Sequence, residues 1–267
     1  MTYFSRLCLL AFLLLIGSVA GSAVQAQIVP NAQVASTVFF NLGGRDDSNT
    51  FGTLTRSDSR FGNLEATVFG APSPVLSARS RIGPNAQISH LFGTSSVLVD
   101  YFFKIVGPAG ILPVGVSAAG QATGRAGEGA SFALIAGWNL LDPGTPAPLA
   151  GFRIQSGQLT GAFEQSFVSH EEVLLSANRV YRISLIAKAD AAATAVGSES
   201  FAQAFVDPVL SFGPGVDPLA YSFVFSNGIG NVASTVAPEP ATLSLIGMGL
   251  LLPVAGAVIR RRRQRKA

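Results

Sequence analysis

The stretch Tyr181-Arg182-Ile183-Ser184-Leu185 places an apolar side chain at every second position. A period of two sets Tyr181, Ile183 and Leu185 on one face of an extended strand and Arg182 and Ser184 on the other. Outward from it, β-favouring runs recur at 34–42, 64–69, 87–92, 96–106, 114–122 and 131–141, then at 161–168, 180–187, 201–205 and 221–225. Turn signals separate them: Gly43-Gly44, Pro72-Ser73-Pro74, Gly107-Pro108, Asp142-Pro143-Gly144, Asp207-Pro208 and Asp217-Pro218. The alanine-rich stretch 188–196 has helical propensity, but Thr194, Val196 and Gly197 suit strand and loop better. No fixed-period repeat points to a propeller or solenoid. Many short strands without a helix predict an all-β fold of two packed antiparallel sheets, a β-sandwich or jelly roll, over residues 27–237.

Charge is distributed unevenly. Of 18 Lys and Arg, Arg6 lies near the start and six lie in the last eight residues, which leaves 18 − 7 = 11 in the middle against all 15 acidic residues. The middle is therefore mildly acidic and lacks the basic stripe of a nucleic-acid binder. Cys8, the single cysteine, precedes residue 27, so no disulfide or cysteine-ligated metal is expected in the folded part.

Both ends read as addresses. Arg6, the apolar run 7–16 and the small residues of 17–26 form the three parts of a secretory signal, with Val24-Gln25-Ala26 predicting cleavage after Ala26. The run is short for an anchor across about 30 Å of hydrocarbon. At the other end, 241–259 is apolar and uncharged, about 28 Å long as a helix at 1.5 Å per residue. It stops at Arg260-Arg261-Arg262-Arg263-Gln264-Arg265-Lys266, a cluster that favours the cytoplasmic side. The expectation is a signal helix at one end, one transmembrane helix at the other, and everything between them outside the cytoplasm. Pro238-Glu239-Pro240 just ahead of the second helix is held extended by its prolines, a form that a protease can bind without unfolding anything.

Val236-Ala237-Pro238-Glu239-Pro240-Ala241-Thr242-Leu243, followed by an apolar helix and an arginine cluster, resembles the PEP-CTERM sorting signal of exopolysaccharide-producing Gram-negative bacteria. The resemblance covers about the last 30 residues (238–267 as the sorting segment) and implies recognition by an exosortase, with cleavage near Pro238, Glu239 and Pro240 and with Arg260, Arg261, Arg262 and Arg263 as the membrane stop. Pro253 inside the helix departs from that pattern. The chain would then be a substrate of catalysis, exported by the general secretion machinery and signal peptidase, held in the inner membrane, and passed to the cell surface or matrix.

The middle offers little chemistry. His90 and His170 lie in different runs and form no zinc-protease pattern, so His170-Glu171-Glu172 reads as a solvated loop. No Gly-x-Ser-x-Gly elbow is present. Glu128, Glu164, Glu171 and Glu172 are candidates for a carboxylate pair, but such pairs are defined by geometry, and ordinary surface charge is the expectation. Asp46-Asp47-Ser48-Asn49 lacks the spacing of a calcium loop and reads as a turn. Gly124-Arg125-Ala126-Gly127-Glu128-Gly129 has no lysine after its last glycine and reads as a flexible hairpin loop, not a phosphate loop. The phenylalanines and Trp138 are assigned to the core. These readings predict no catalytic, cofactor or metal residue. They predict a non-enzymatic surface or matrix protein whose partners are envelope polysaccharide or matrix proteins. The alternatives are a secreted glycan hydrolase and a permanently anchored single-pass envelope protein.

Overall fold

The computed structural model describes residues 28–84 and 89–231. The predicted Ala26 cleavage point, the motif at Pro238, Glu239 and Pro240, both apolar end segments and Arg260–Arg263 lie outside the described residues. Within them the chain forms strands β1 (Gln33–Phe40), β2 (Gly44–Ser48), β3 (Gly52–Asp58), β4 (Gly62–Phe69), β5 (Val75–Ile82), β6 (Leu91–Val106) and β7 (Ile111–Ala126). These are followed by β8 (Ala130–Leu141), β9 (Pro148–Gln155), β10 (Gly161–Ser176), β11 (Val180–Ala193), β12 (Ser200–Phe212) and β13 (Ser222–Phe225). There is no helix among the described residues.

The strands make a β-sandwich of two antiparallel sheets. One has the order β2-β1-β6-β11-β8-β9, with β13 pairing β6 beyond the end of β1; the other has the order β10-β7-β12-β5-β4-β3. The quoted alternation in β11 holds: Tyr181, Ile183 and Leu185 are buried, while Arg182 and Ser184 stand on the outer face. β11 then continues through Ala187, Ala189, Ala191 and Ala193, all fully buried, so the alanine-rich stretch is strand up to Ala193 and turn beyond. These methyl groups sit opposite Ala202 and Ala204 of β12 and Ala78 of β5 in one core. Small side chains bring the sheets close. Larger rings fill the space where glycine allows it: a Cβ on Gly124 would lie 2.2 Å from the Phe132 ring, and one on Gly120 would lie 2.0 Å from Phe167.

Polar bridges join the sheets through this core. Ser80 Oγ of β5 donates to the Ala189 carbonyl of β11 at 2.7 Å, and Ser95 Oγ of β6 donates to the Arg79 carbonyl of β5 at 2.7 Å. Trp138 of β8 is buried as expected, and its indole N–H reaches Ser169 Oγ of β10 at 3.0 Å.

Several expectations are corrected. Asp207-Pro208 is not a turn but lies inside β12. The ladder to β5 ends at Val206, so Pro208 falls where that side of β12 has no strand partner and a missing N–H costs nothing. Asp46, Asp47 and Ser48 form β2 instead of a turn: they pair with Val38, Thr37 and Ser36 of β1, and the two carboxylates are held by Arg56, Thr37 and Arg45. Gly124–Ala126 is the end of β7, and 127–129 carries the chain from one sheet to the other instead of closing a hairpin. The run 87–92 becomes strand only from Leu91; 87 and 88 are outside the described residues. β3, β5 and β9 were not foreseen.

Candidate functional site

The residues singled out by sequence do not assemble. His90 stands in the bend before β6 with φ 60°, and His170 is in β10, in a strand and not a loop. His170 Nδ1 lies 2.9 Å from Ser117 Oγ of the neighbouring β7, a cross-strand pair that sequence spacing could not reveal. Among the described residues no carboxylate hydrogen-bonds to this histidine, and no group of three or more His, Cys, Asp or Glu is placed to hold a metal ion. Glu171 and Glu172 are consecutive strand residues and point to opposite sides of β10. Asp46 pairs with Arg56, and Asp47 accepts from Thr37 Oγ1 at 2.6 Å and from Arg45 Nε at 2.8 Å. The Thr37 hydroxyl, and then Arg45, hold the Asp47 carboxyl below its ordinary range. This corner is built of satisfied charges.

The site the structure does build lies on the outer face of the β10-β7-β12-β5-β4-β3 sheet. Strand register places Arg125, Phe201 and Arg81 side by side in one row, with Asn63 and Ser57 continuing it towards β3. The next row reads Glu164, Thr123, Gln203, Arg79, Glu65 and Thr55. A cleft of about 500 Å³ opens over Arg79, Arg81, Arg125, Glu164, Glu199 and Phe201. Arg79 and Arg81 also line a second hollow of about 190 Å³ over Asn63, Glu65, Thr55 and Ser57. The two hollows flank the same pair of arginines and together cross the sheet perpendicular to its strands. Five inter-strand steps of about 4.8 Å make the path about 24 Å long.

Glu199 organises the centre. Its Oε1 lies 3.1 Å from Arg81 Nη2 and 3.8 Å from Arg125 Nη2. The Arg79 guanidinium lies over the Phe201 ring, 5.3 Å from its centroid, a cation–π contact worth about 0.5–1 kcal/mol at an exposed site. Among the described residues no carboxylate pairs with Arg79. The arrangement presents planar hydrogen-bonding groups around a half-buried aromatic floor, open to solvent along its length.

Sequence reading missed this groove because its parts are far apart in the chain. Arg79, Arg81, Arg125, Glu199 and Phe201 come from three strands and the connection just before β12, and strand register brings the strand residues together. The available signal was the alternation of Arg79 and Arg81 with Ala78, Ser80 and Ile82 in β5, where Ser80 interrupts the apolar set and hides the strand.

No protein-family model matches the chain, and no curated protein matches it. Among solved structures, the chain overlaps with TmCBM61 in complex with beta-1,4-galactotriose at 10% identity, covering 67% of this chain and 88% of that one with a TM-score of 0.16. It overlaps with the infectious bursal disease virus Gt strain at 8% identity, 84% and 70% coverage and a TM-score of 0.16. The VP2 subviral particle of the same virus gives 10% identity, 71% and 64% coverage and a TM-score of 0.14.

Proposed function

We propose that this chain is an exported, non-enzymatic binding protein, sorted through its C-terminal segment to the cell surface or the extracellular matrix. The observation that carries the reading is the order of three features in the sequence: a leader ending at Ala26, Pro238-Glu239-Pro240, and an apolar 241–259 stopped by Arg260, Arg261, Arg262 and Arg263. Moving a charge across 100 mV costs about 2.3 kcal/mol, so the arginine cluster opposes passage of the tail while the acidic middle is exported. The extended Pro-Glu-Pro segment is then the place for an exosortase to cut, with the membrane helix on its far side. The folded part between the signals supplies the binding role, towards polysaccharide or matrix proteins.

The experiment is intact-mass measurement on the cellular and released protein, for the natural chain and for the Pro238→Ala, Pro240→Ala double variant. The natural chain should lose both 1–26 and the segment after the Pro-Glu-Pro motif, and the variant should accumulate in the inner membrane with 241–267 attached. A natural product that retains 241–267 would instead indicate permanent anchoring.

A further inference from the structure

The groove across the β10-β7-β12-β5-β4-β3 sheet has the length, floor and charge pattern to hold a chain polymer. We propose that its ligand is a linear polysaccharide carrying carboxylates at intervals, of the uronate type, and that Arg81 and Arg125 hold the acid groups. The inference names the ligand for the binding role above and rests on that reading.

Shape comes first. The path crosses six strands along two register rows and joins two hollows that share Arg79 and Arg81, so a polymer can enter at the β10 side and leave at the β3 side. Chemistry along it alternates. Gln203, Thr123, Asn63, Thr55 and Ser57 offer donors and acceptors to hydroxyl groups, and Phe201 offers an apolar patch to the C–H face of a sugar ring.

Charge decides the class of polymer. Glu199 shows that a carboxylate fits between Arg81 and Arg125, and it uses one oxygen for one nitrogen of each. A guanidinium has five N–H donors in a fork that matches a carboxylate, so most of that capacity is open. Both side chains are accessible, Arg81 at 48% and Arg125 at 72% exposure. Three glutamates (Glu65, Glu164 and Glu199) share the groove with three arginines. A duplex with one phosphate charge per about 1.7 Å would meet those glutamates at close range, whereas a polymer with separated acids can set its charges on the arginines and its hydroxyls on the glutamates.

The test uses the purified full-length chain in detergent and three probes: polygalacturonate as the free acid, the same polymer fully methyl-esterified, and double-stranded DNA. We expect calorimetric titration to show binding of the free acid that weakens with salt, at least tenfold weaker binding of the ester, and weaker binding still of DNA. Arg81→Gln with Arg125→Gln should lose at least tenfold in affinity with an unchanged unfolding midpoint. Glu199→Gln, which removes the resident carboxylate and frees both guanidiniums, should gain several-fold in affinity for the free acid, a result that misfolding cannot imitate. Equal binding of acid and ester, tighter binding of DNA, no binding of the free acid, or a Glu199→Gln variant that binds no better overturns the proposal. The assay is independent of sorting: a chain that binds polyuronate but retains 241–267 sinks only the sorting, and a correctly processed chain that binds none of the probes sinks only this inference.

Discussion

Asn231 completes strand β12 from outside the sheet: its Oδ1 accepts from the Leu210 N–H at 2.8 Å, and its Nδ2 donates to the Leu210 carbonyl at 2.8 Å. One side chain thus does what a neighbouring strand would do, on the side of β12 where the β5 ladder has already ended at Val206. Leu210 is 3% exposed, so both backbone groups need that partner. Replacing Asn231 with Ala should destabilise the fold by about 2 kcal/mol, since an unpaired buried group costs about 1–3 kcal/mol and water can reach part of this site. Urea unfolding measures the loss, and amide exchange locates it. A Leu210 amide as protected in the variant as in the natural chain would show that the pairing is not what holds it.

Trp138 and Ser169 tie the two sheets together, and because Trp138 is the single tryptophan its emission reports the burial of that one ring. Ser169→Ala leaves the buried indole N–H without its acceptor and should cost about 1–3 kcal/mol. The native emission should be blue-shifted in both proteins, since the ring stays buried, while the unfolding midpoint falls. Equal midpoints would mean that the indole finds another acceptor.

Tyr101 is fully buried, and among the described residues its hydroxyl has no hydrogen-bond partner. Burial, and then the charge of Asp207, push the phenol far above its ordinary value of 10.0. The folded chain keeps this group neutral while the unfolded chain can ionise it. The contribution is therefore fully present below about pH 10 and drains away as the pH rises above it, by up to about 1.4 kcal/mol per pH unit. Tyr101→Phe should remove the alkaline slope and, by deleting an unpaired buried hydroxyl, gain about 1 kcal/mol at neutral pH. Thermal melts from pH 8 to pH 11 test both parts. A variant that melts lower at pH 8, or shows the same alkaline decline, would refute the account.

The clearest strands in the sequence are those with an unbroken run of apolar residues on the inward face. β11 shows Tyr181, Ile183 and Leu185, and β8 shows Phe132, Leu134 and Trp138. β5 was invisible because Ser80 takes an inward position, and its burial makes sense only once the Ala189 carbonyl of the other sheet is there to accept its hydrogen bond. β2 resembles a turn in sequence because Asp46 and Asp47 look like turn residues until Arg56 and Arg45 are placed beside them. Asp207-Pro208 resembles a turn in sequence because local chemistry cannot announce that the β5 ladder along β12 ends at Val206. The groove is the extreme case: Arg81 and Arg125 become neighbours of Phe201 through two ladders, information that no window of sequence contains.

The spacing between β7 and β8 of the facing sheet rests on Gly124, and this can be tested by adding one methyl group. A Cβ on Gly124 would sit 2.2 Å from two carbons of the Phe132 ring, far inside contact distance, and Phe132 is 1% exposed with no solvent to move into. Gly124 has no left-handed backbone to maintain, so the cost of Gly124→Ala comes from overpacking and should be about 1–3 kcal/mol. Phe132→Leu alone shrinks a core side chain and leaves a cavity, which also destabilises. Because the two sites touch, the changes should not add: Gly124→Ala with Phe132→Leu should be more stable than the sum of the single losses allows. A double-mutant cycle by urea unfolding reads the difference directly. Strict additivity would mean that the ring has room to retreat and that Gly124 does not set the distance between β7 and β8.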